Sequence, residues 1–470
     1  MSLPQPSPAA IASGAHPFTP PPCLPESEES DFALADVLGA FSHALDITEG
    51  QPQGHALRCA FIGHEIGRAL GLDEDALSDV FYAVLLKDLG CSSNAARICA
   101  LYLTDDRTFK RDYKRVGDSL PQALRFVLDH TGLGHGLAAR FGAVIEVVRN
   151  GGEIARELIE IRCERGAAIA QAMGFSQTVS TGIRDLDEHW DGGGRPSGLA
   201  GAAIAREARI ALLAQVVDVF HQTGGREAAR AEARARAGTW FDPGIVAAFE
   251  DVAATPAFWD ALAAPDLEAR TLLLSPARRT RRLDGAGLDD VASAFAQVID
   301  AKSPFTAGHS ERVAFYADLV ADELGFPGLR RTWLKRAALL HDIGKLGVSN
   351  AILDKPGKLD DAEWRIMRNH SRDSELILAR IRAFGGLAQV AGAHHERLDG
   401  RGYPYGLRGD AIGLDTRVLS VADVFDALTA DRPYRAGMPV ETALGILRAD
   451  VGAAFDGECV AALERALARL

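Results

Sequence analysis

Residues 85–90 read LLKDLG and residues 339–344 read LLHDIG, and the likeness runs far beyond six positions. Shifted by 254, residues 31–91 lie on 285–345 without a gap: Asp36 and Val37 meet Asp290 and Val291, Phe41 meets Phe295, Gly54 and His55 meet Gly308 and His309, and Arg58 meets Arg312. A second constant shift, 208, sets DEHWDGGGRPSGL (187–199) on HERLDGRGYPYGL (395–407). The difference of the two shifts leaves the first copy about 46 residues longer between these blocks. A last echo, GTWFD (238–242) against GAAFD (452–456), closes both copies. A chain with this layout is a duplication, and whatever one copy folds into the other folds into as well.

Runs such as DVLGAFSHALD and ERVAFYADLVADELG place apolar residues three and four apart, and few stretches alternate. The expected class is therefore all-α, with two tandem helical-bundle domains. Residues 1–30 hold eight prolines and no periodic apolar face, which reads as a disordered leader. The expected boundaries are 31–262 for the first copy, 263–286 for a linker containing Pro276 and the basic run RRTRR, and 287–470 for the second copy. No long uncharged apolar window and no signal-type start are present, so the expected location is the cytoplasm, without a membrane span. Six cysteines without paired spacing fit a reducing compartment. A net charge of −13 argues against a nucleic-acid polymer or an anionic lipid surface as partner. An anionic substrate then needs a local basic pocket.

From residue 285 onward there are five histidines: His309, His341, His370, His394 and His395. His341 and Asp342 follow an apolar helix, His394 and His395 are adjacent before a Gly-rich turn, and Asp423 falls on the buried face of VLSVADVFDAL. A carboxylate there is costly unless a cation or hydrogen bonds meet it. Any one of these histidines alone is an ordinary hydrogen-bonded residue. Together with two buried-type aspartates they read as a metal centre, and imidazole with carboxylate and no cysteine suits Mn, Fe, Zn or Co.

The ordered strings GHSERV, LLHDIGK, HHERLDGRGYP and VADVFDALTADRPYR resemble the HD-GYP family, HD-superfamily phosphohydrolases that hydrolyse cyclic dinucleotides, over roughly 285–465. The resemblance implies HD-type helical bundles, the second catalytic, and a cyclic dinucleotide substrate, either cyclic di-GMP or 3',3'-cyclic GMP–AMP. It implies that His309, His341, Asp342 and Asp423 hold one divalent metal, and that Asp342 bridges to a second held by His370, His394 and His395. Gly402, Tyr403 and Pro404 are the GYP, and Arg432 and Arg435 match positions that contact substrate phosphates. Two such cations clamp a phosphodiester and supply a nucleophile at neutral pH. Lys345, four residues after His341, shares its helical side if the helix continues, and there it neutralises phosphoryl charge. Family members with a third metal carry Glu four residues before the first motif His; Phe305 stands there, so two metals are expected. SRDS after His370 departs from the family's Pro and Gly, which leaves the local turn open. The other readings are an HD phosphohydrolase for a different nucleotide, and a nucleotide-binding signalling protein without catalysis.

Under the same shifts the first copy keeps His55 and Asp88 but has Lys87 for His341 and Arg162 for His370, with Cys163 if the register slips. Leu186 and Asp187 stand for His394 and His395, Gln215 for Asp423 and Arg195 for Tyr403. Such a copy folds without metal. Its role is either to pack against the catalytic copy or form a homodimer or signalling-partner surface, or to bind an anionic nucleotide through Lys87, Arg162 and Arg195.

Overall fold

The computed structural model describes residues 32–117, 120–275, 282–381, 384–431 and 436–470; the proline-rich leader, Arg432 and Arg435 lie outside them. Helices follow one another from Leu34 to Leu467, and the strands among the described residues are two residues long, Phe32–Ala33 paired antiparallel with Arg282–Leu283. Local sequence starts the helices: Asp73 caps Glu74–Leu85, Asp284 caps Gly285–Asp300, and Asp360 with Glu363 forms a capping box on Asp361–Leu378. Each cap satisfies backbone N–H groups that the first turn leaves unpaired.

The two copies are interlocked. The first helix of the first copy, Leu34–Thr48, packs on the turn Ile343–Gly347 and the helix Asp361–Leu378 of the second. Its counterpart Gly285–Asp300 packs on the turn Cys91–Asn94 and the helix Leu137–Ala172 of the first. Phe41 and Phe295, equivalent under the 254 shift, stack on each other with centroids 4.0 Å apart. Equivalent residues in contact mark a local two-fold axis, the arrangement of an isologous interface within one chain. Each ring is almost fully buried, worth about 1.5–3 kcal/mol of burial apiece.

The segment expected as a linker is itself packed: it contains the helix Leu267–Leu273, and Leu272 lies so close over Gly39 that a side chain there would strike it. The extra length of the first copy builds a satellite core of Ile98, Tyr102, Phe109, Phe126, Val147, Ile154 and Leu158. Beside that core the copies are tied by polar contacts. Fully buried Asp106 accepts hydrogen bonds from Lys302 Nζ (2.9 Å) and Asn350 N (3.0 Å). Arg107 donates to the carbonyls of Ile47 (3.0 Å) and Gly347 (2.6 Å). No helix among the described residues is long and apolar enough to cross a membrane.

Candidate metal centre

The apolar helix Gly328–Leu340 ends at His341, and the chain tightens into the turn Ile343–Gly347. Gly344 permits this: a side chain there would strike the carbonyl of His370. The α-helix therefore does not continue to Lys345, contrary to the condition under which Lys345 would share a side with His341. The tighter turn instead brings the Lys345 ammonium onto the Asp342 carboxylate. His309 opens the helix His309–Glu323 behind Gly308, whose φ of 68° suits glycine. His370 lies inside the unbroken helix Asp361–Leu378, so the departure from the family pattern after it makes no turn. His394 and His395 follow the helix Gly385–Gly392, and Asp423 comes from Leu414–Thr429.

These seven residues, widely spaced in sequence, converge. Asp342 Oδ2 lies 3.6 Å from His309 Nε2 and 3.4 Å from His341 Nε2, while its Oδ1 lies 3.4 Å from His370 Nε2 and 3.8 Å from His394 Nε2. Asp423 Oδ1 is 3.3 Å from His309 Nε2 and 3.8 Å from His341 Nε2, and its Oδ2 is 3.9 Å from His395 Nδ1. The two oxygens of Asp342 thus face two different sets of imidazoles.

Tautomers are fixed from behind. Nδ1 of His341, His370 and His394 each donates to a carbonyl three residues earlier, those of Ala338, Met367 and Ala391, at 2.6 Å. His309 Nδ1 donates to Asp426 at 2.7 Å, and Arg312 Nε holds the other Asp426 oxygen at 2.6 Å. Each Nε2 is left with its lone pair directed inward. His341 Nε2, His394 Nε2 and Asp342 Oδ1 are buried without a hydrogen-bond partner. Orphaned acceptors of this kind, aimed at one point, fit divalent cations and are costly without them.

Charge follows the same pattern. Burial works against the charged form of His309, but the carboxylates of Asp342, Asp423 and Asp426 outweigh it and hold its pKa well above the usual value. Burial likewise opposes ionised Asp342 and Asp423; His341 and Lys345 beside the one, His309 and His341 beside the other, keep both well below the usual carboxylate range. His394 and His395 are pushed down by burial and by neighbouring imidazoles, His395 to about 3. The ionised carboxylates and the neutral His394 and His395 are in the states a metal requires, while His309 and His341, both raised by the carboxylates they face, would give up their Nε2 protons to a cation.

Tyr403 lies over His395 with ring centroids 4.8 Å apart, and the Arg368 guanidinium stacks on its outer side at 5.5 Å. Gly402 passes against the backbone of His395, Glu396 and Arg397 too closely for any side chain. Half-buried Pro404 follows in a cis peptide, and Glu396 closes the turn by accepting from the N–H groups of Tyr405 and Leu407. Sequence reasoning missed Asp426, Glu396 and Asp300, whose buried carboxylate accepts from Ser310 N (3.2 Å) and Ser310 Oγ (2.7 Å) next to His309. Their signal was available, since the 208 shift pairs Asp218 with Asp426 and Glu188 with Glu396, and the 254 shift pairs Asp46 with Asp300.

In the first copy, His55 Nδ1 meets Asp218 at 2.7 Å and Arg58 Nε meets it at 2.6 Å, as His309 and Arg312 meet Asp426. Gly90 abuts the carbonyl of Arg162 as Gly344 abuts that of His370, so Arg162 and not Cys163 is the counterpart. Where the second copy gathers candidate ligands, this one gathers ammonium groups. Buried Lys87 pairs with Asp88 Oδ2 and lies 3.3 Å from His55 Nε2. Buried Lys114, from between the two aligned blocks, lies 3.7 Å from Asp88 Oδ1 and 2.8 Å from Glu49. Each oxygen of Asp88, the counterpart of Asp342, is thus met by a lysine. Arg162 pairs with Asp187. Lys87 and Arg162, two of the three cations of the alternative nucleotide pocket, are thus each paired with an internal carboxylate.

A helical bundle that gathers histidines and aspartates around an HD pair defines a metal-dependent phosphohydrolase fold, and the comparisons agree. The model of the HD domain matches residues 142–245 and 293–459. The 3'3'-cGAMP-specific phosphodiesterase 3 of Vibrio cholerae is 52% identical over 439 residues, covering 93% of this chain and 95% of that one. A cyclic di-GMP phosphodiesterase response regulator of Xanthomonas campestris is 40% identical over 185 residues, covering 38% of this chain and 48% of its own. The crystal structure of a V. cholerae cyclic GMP-AMP specific phosphodiesterase superposes with a TM-score of 0.63 at 46% identity, covering 93% of this chain and 98% of that one. The chain belongs to the HD-domain family, with the HD-GYP pattern in its second copy.

Proposed function

We propose that this chain is a metal-dependent phosphodiesterase that hydrolyses a cyclic dinucleotide, with 3',3'-cyclic GMP–AMP favoured over cyclic di-GMP. The observation that carries the reading is the division of four imidazoles into two pairs by the two oxygens of Asp342, with His395 beside the second pair. The choice of substrate rests on extent: the relative specific for the mixed dinucleotide matches along nearly the whole chain, degenerate copy included, whereas the cyclic di-GMP enzyme cited matches 38% of it. Unpaired cysteines, five among the described residues, support a cytoplasmic setting.

His309, His341, Asp342 and Asp423 would hold one cation, and Asp342, His370, His394 and His395 a second. When bound, such cations polarise a phosphodiester and supply a nucleophile at neutral pH. The chain's own contribution is positional and electrostatic. Backbone carbonyls and Asp426 hold the rings in one tautomer, so no reorganisation is needed at the moment of reaction. Lys345, one-fifth exposed beside Asp342, places a positive charge where phosphoryl oxygens gather negative charge. Tyr403 walls the site above His395, Gly402 and Pro404 set its position, and Arg432 and Arg435 are assigned to the substrate's phosphates.

Product chromatography tests this. Metal-loaded protein with Mn or Fe(II) should linearise 3',3'-cyclic GMP–AMP faster than cyclic di-GMP, and Asp342→Ala should linearise neither. Full metal loading with no turnover of either dinucleotide would overturn the reading.

A further inference from the structure

The helix Leu137–Ala172 is apolar on two faces. Val147, Ile154 and Leu158 enter the satellite core. Leu137, Phe141, Ile145 and Val148, spaced 4, 4 and 3, fall within about a quarter-turn of one another on a different face. They are exposed, Leu137 by 84% and Phe141 by 69%. The preceding helix Leu120–His130, packed on this one, exposes Leu124 and Leu128 by nearly half each. A helix apolar on more than one face is built to be covered on more than one face.

We propose that this face is a homodimer interface, occupied by the same helical hairpin of a second copy of the chain across a two-fold axis. Area supports this occupant. Taking roughly 150–200 Å² for each large apolar side chain when fully exposed, these six present on the order of 600 Å². That exceeds the largest apolar patch of many monomers and matches the apolar part of a standard interface of about 800 Å² per partner. Charge supports it too: Arg140 and Arg149 alternate with Glu146 and Glu153 along the same helix, with no excess of one sign. A nucleic acid or an anionic membrane calls for such an excess, and a self-complementary partner does not. Ala138 borders the stripe and Gly152 continues it one turn beyond Val148, and residues this small let two helix backbones approach closely. The inference does not depend on the proposed activity.

Sedimentation velocity of the full chain across the micromolar range tests it. A reversible or stable dimer is expected, and L137E/F141E should raise its dissociation constant by about 100-fold or more, because charges then enter the centre of the interface. Both positions are exposed, so far-UV circular dichroism of that variant should match the parent. As a check independent of the charged variant, Ile145→Cys should give dimeric product with a short bismaleimide, in excess over the parent. A parent that stays monomeric throughout, a double variant that dimerises as the parent does, or no excess cross-linking at Ile145→Cys would each overturn the proposal. The first of these would leave the chain's own leader as the cover for this face.

Discussion

Replacing Lys87 by Met tests the idea that the first copy carries its own substitute for metal. The ammonium is 2% exposed and is shared by the Asp88 carboxylate and His55 Nε2. Met matches its length and removes only the charge. Breaking a buried pair on one side costs about 3–5 kcal/mol, because the remaining charge stays buried without its partner. Lys114, 3.7 Å from the other Asp88 oxygen, moderates this, so the lower end of that range is expected. Equilibrium urea unfolding of metal-depleted protein, followed by far-UV circular dichroism, measures it. Adding Asp88→Asn should return at least half of the loss, since removing both charges of a buried pair is far milder than removing one. A loss below about 1 kcal/mol in Lys87→Met, or no recovery in the double variant, would refute the charge-replacement reasoning. The first result would mean that the ammonium is unimportant, and the second that the loss came from packing.

Four further outcomes follow from the geometry. Asp342→Ala should bring the metal content of purified protein, read by mass spectrometry, close to zero rather than half, because both oxygens of this carboxylate face ligand sets. Asp426→Asn should weaken metal binding by about 10–100-fold in a competition titration, while the protein stays folded, since Asp426 orients His309 without sitting in the centre. Arg107→Ala removes the hydrogen bond from the first copy to the Gly347 carbonyl; it should lower kcat more than it raises KM, and Arg107→Lys, which can still donate to that carbonyl, should recover part of the loss. Burial and the neighbouring Lys87 push His55 down to about 4, below its unfolded value, so its contribution to stability is complete above about pH 6.5 and is lost as pH falls towards 4. That loss should reach about 3 kcal/mol in urea titrations and should shrink in Lys87→Met.

The repeat made much of this legible. A shift that conserved Gly54 and Gly308 announced a backbone turn, and the HD and HH pairs announced ligands. What the shift could not reveal was where a side chain from outside the aligned blocks would land. Lys114 sits in the longer segment of the first copy, and only tertiary packing brings it to Glu49 and Asp88. The same holds for Asp106 and Arg107, which look like ordinary charged residues of a short helix until the second copy packs against them. Lys345 failed a local rule: an apolar helix ending in His-Asp reads as continuing, yet the close approach of Gly344 to the His370 backbone requires the tighter turn. Asp426 was passed over because Asp423, three residues earlier, already explained a buried carboxylate on that helix. The comparison of Asp218 with Asp426 would have separated the two roles, since the first copy keeps the orienting aspartate and has Gln215 where the ligand stood.

The packing of each copy's first helix on the other copy bears on how this molecule can be taken apart. Residues 287–470 hold all the candidate ligands, so they look like a portable cassette. Yet part of the cover on the turn Ile343–Gly347, and on the helix of His370, comes from Leu34–Thr48, at the opposite end of the chain. A transplanted cassette would lose that cover and present bare apolar surface next to its own ligands. Grafts, circular permutations and split reporters built on this chain therefore have to carry both halves together, joined or co-expressed, with foreign modules attached at the outer ends.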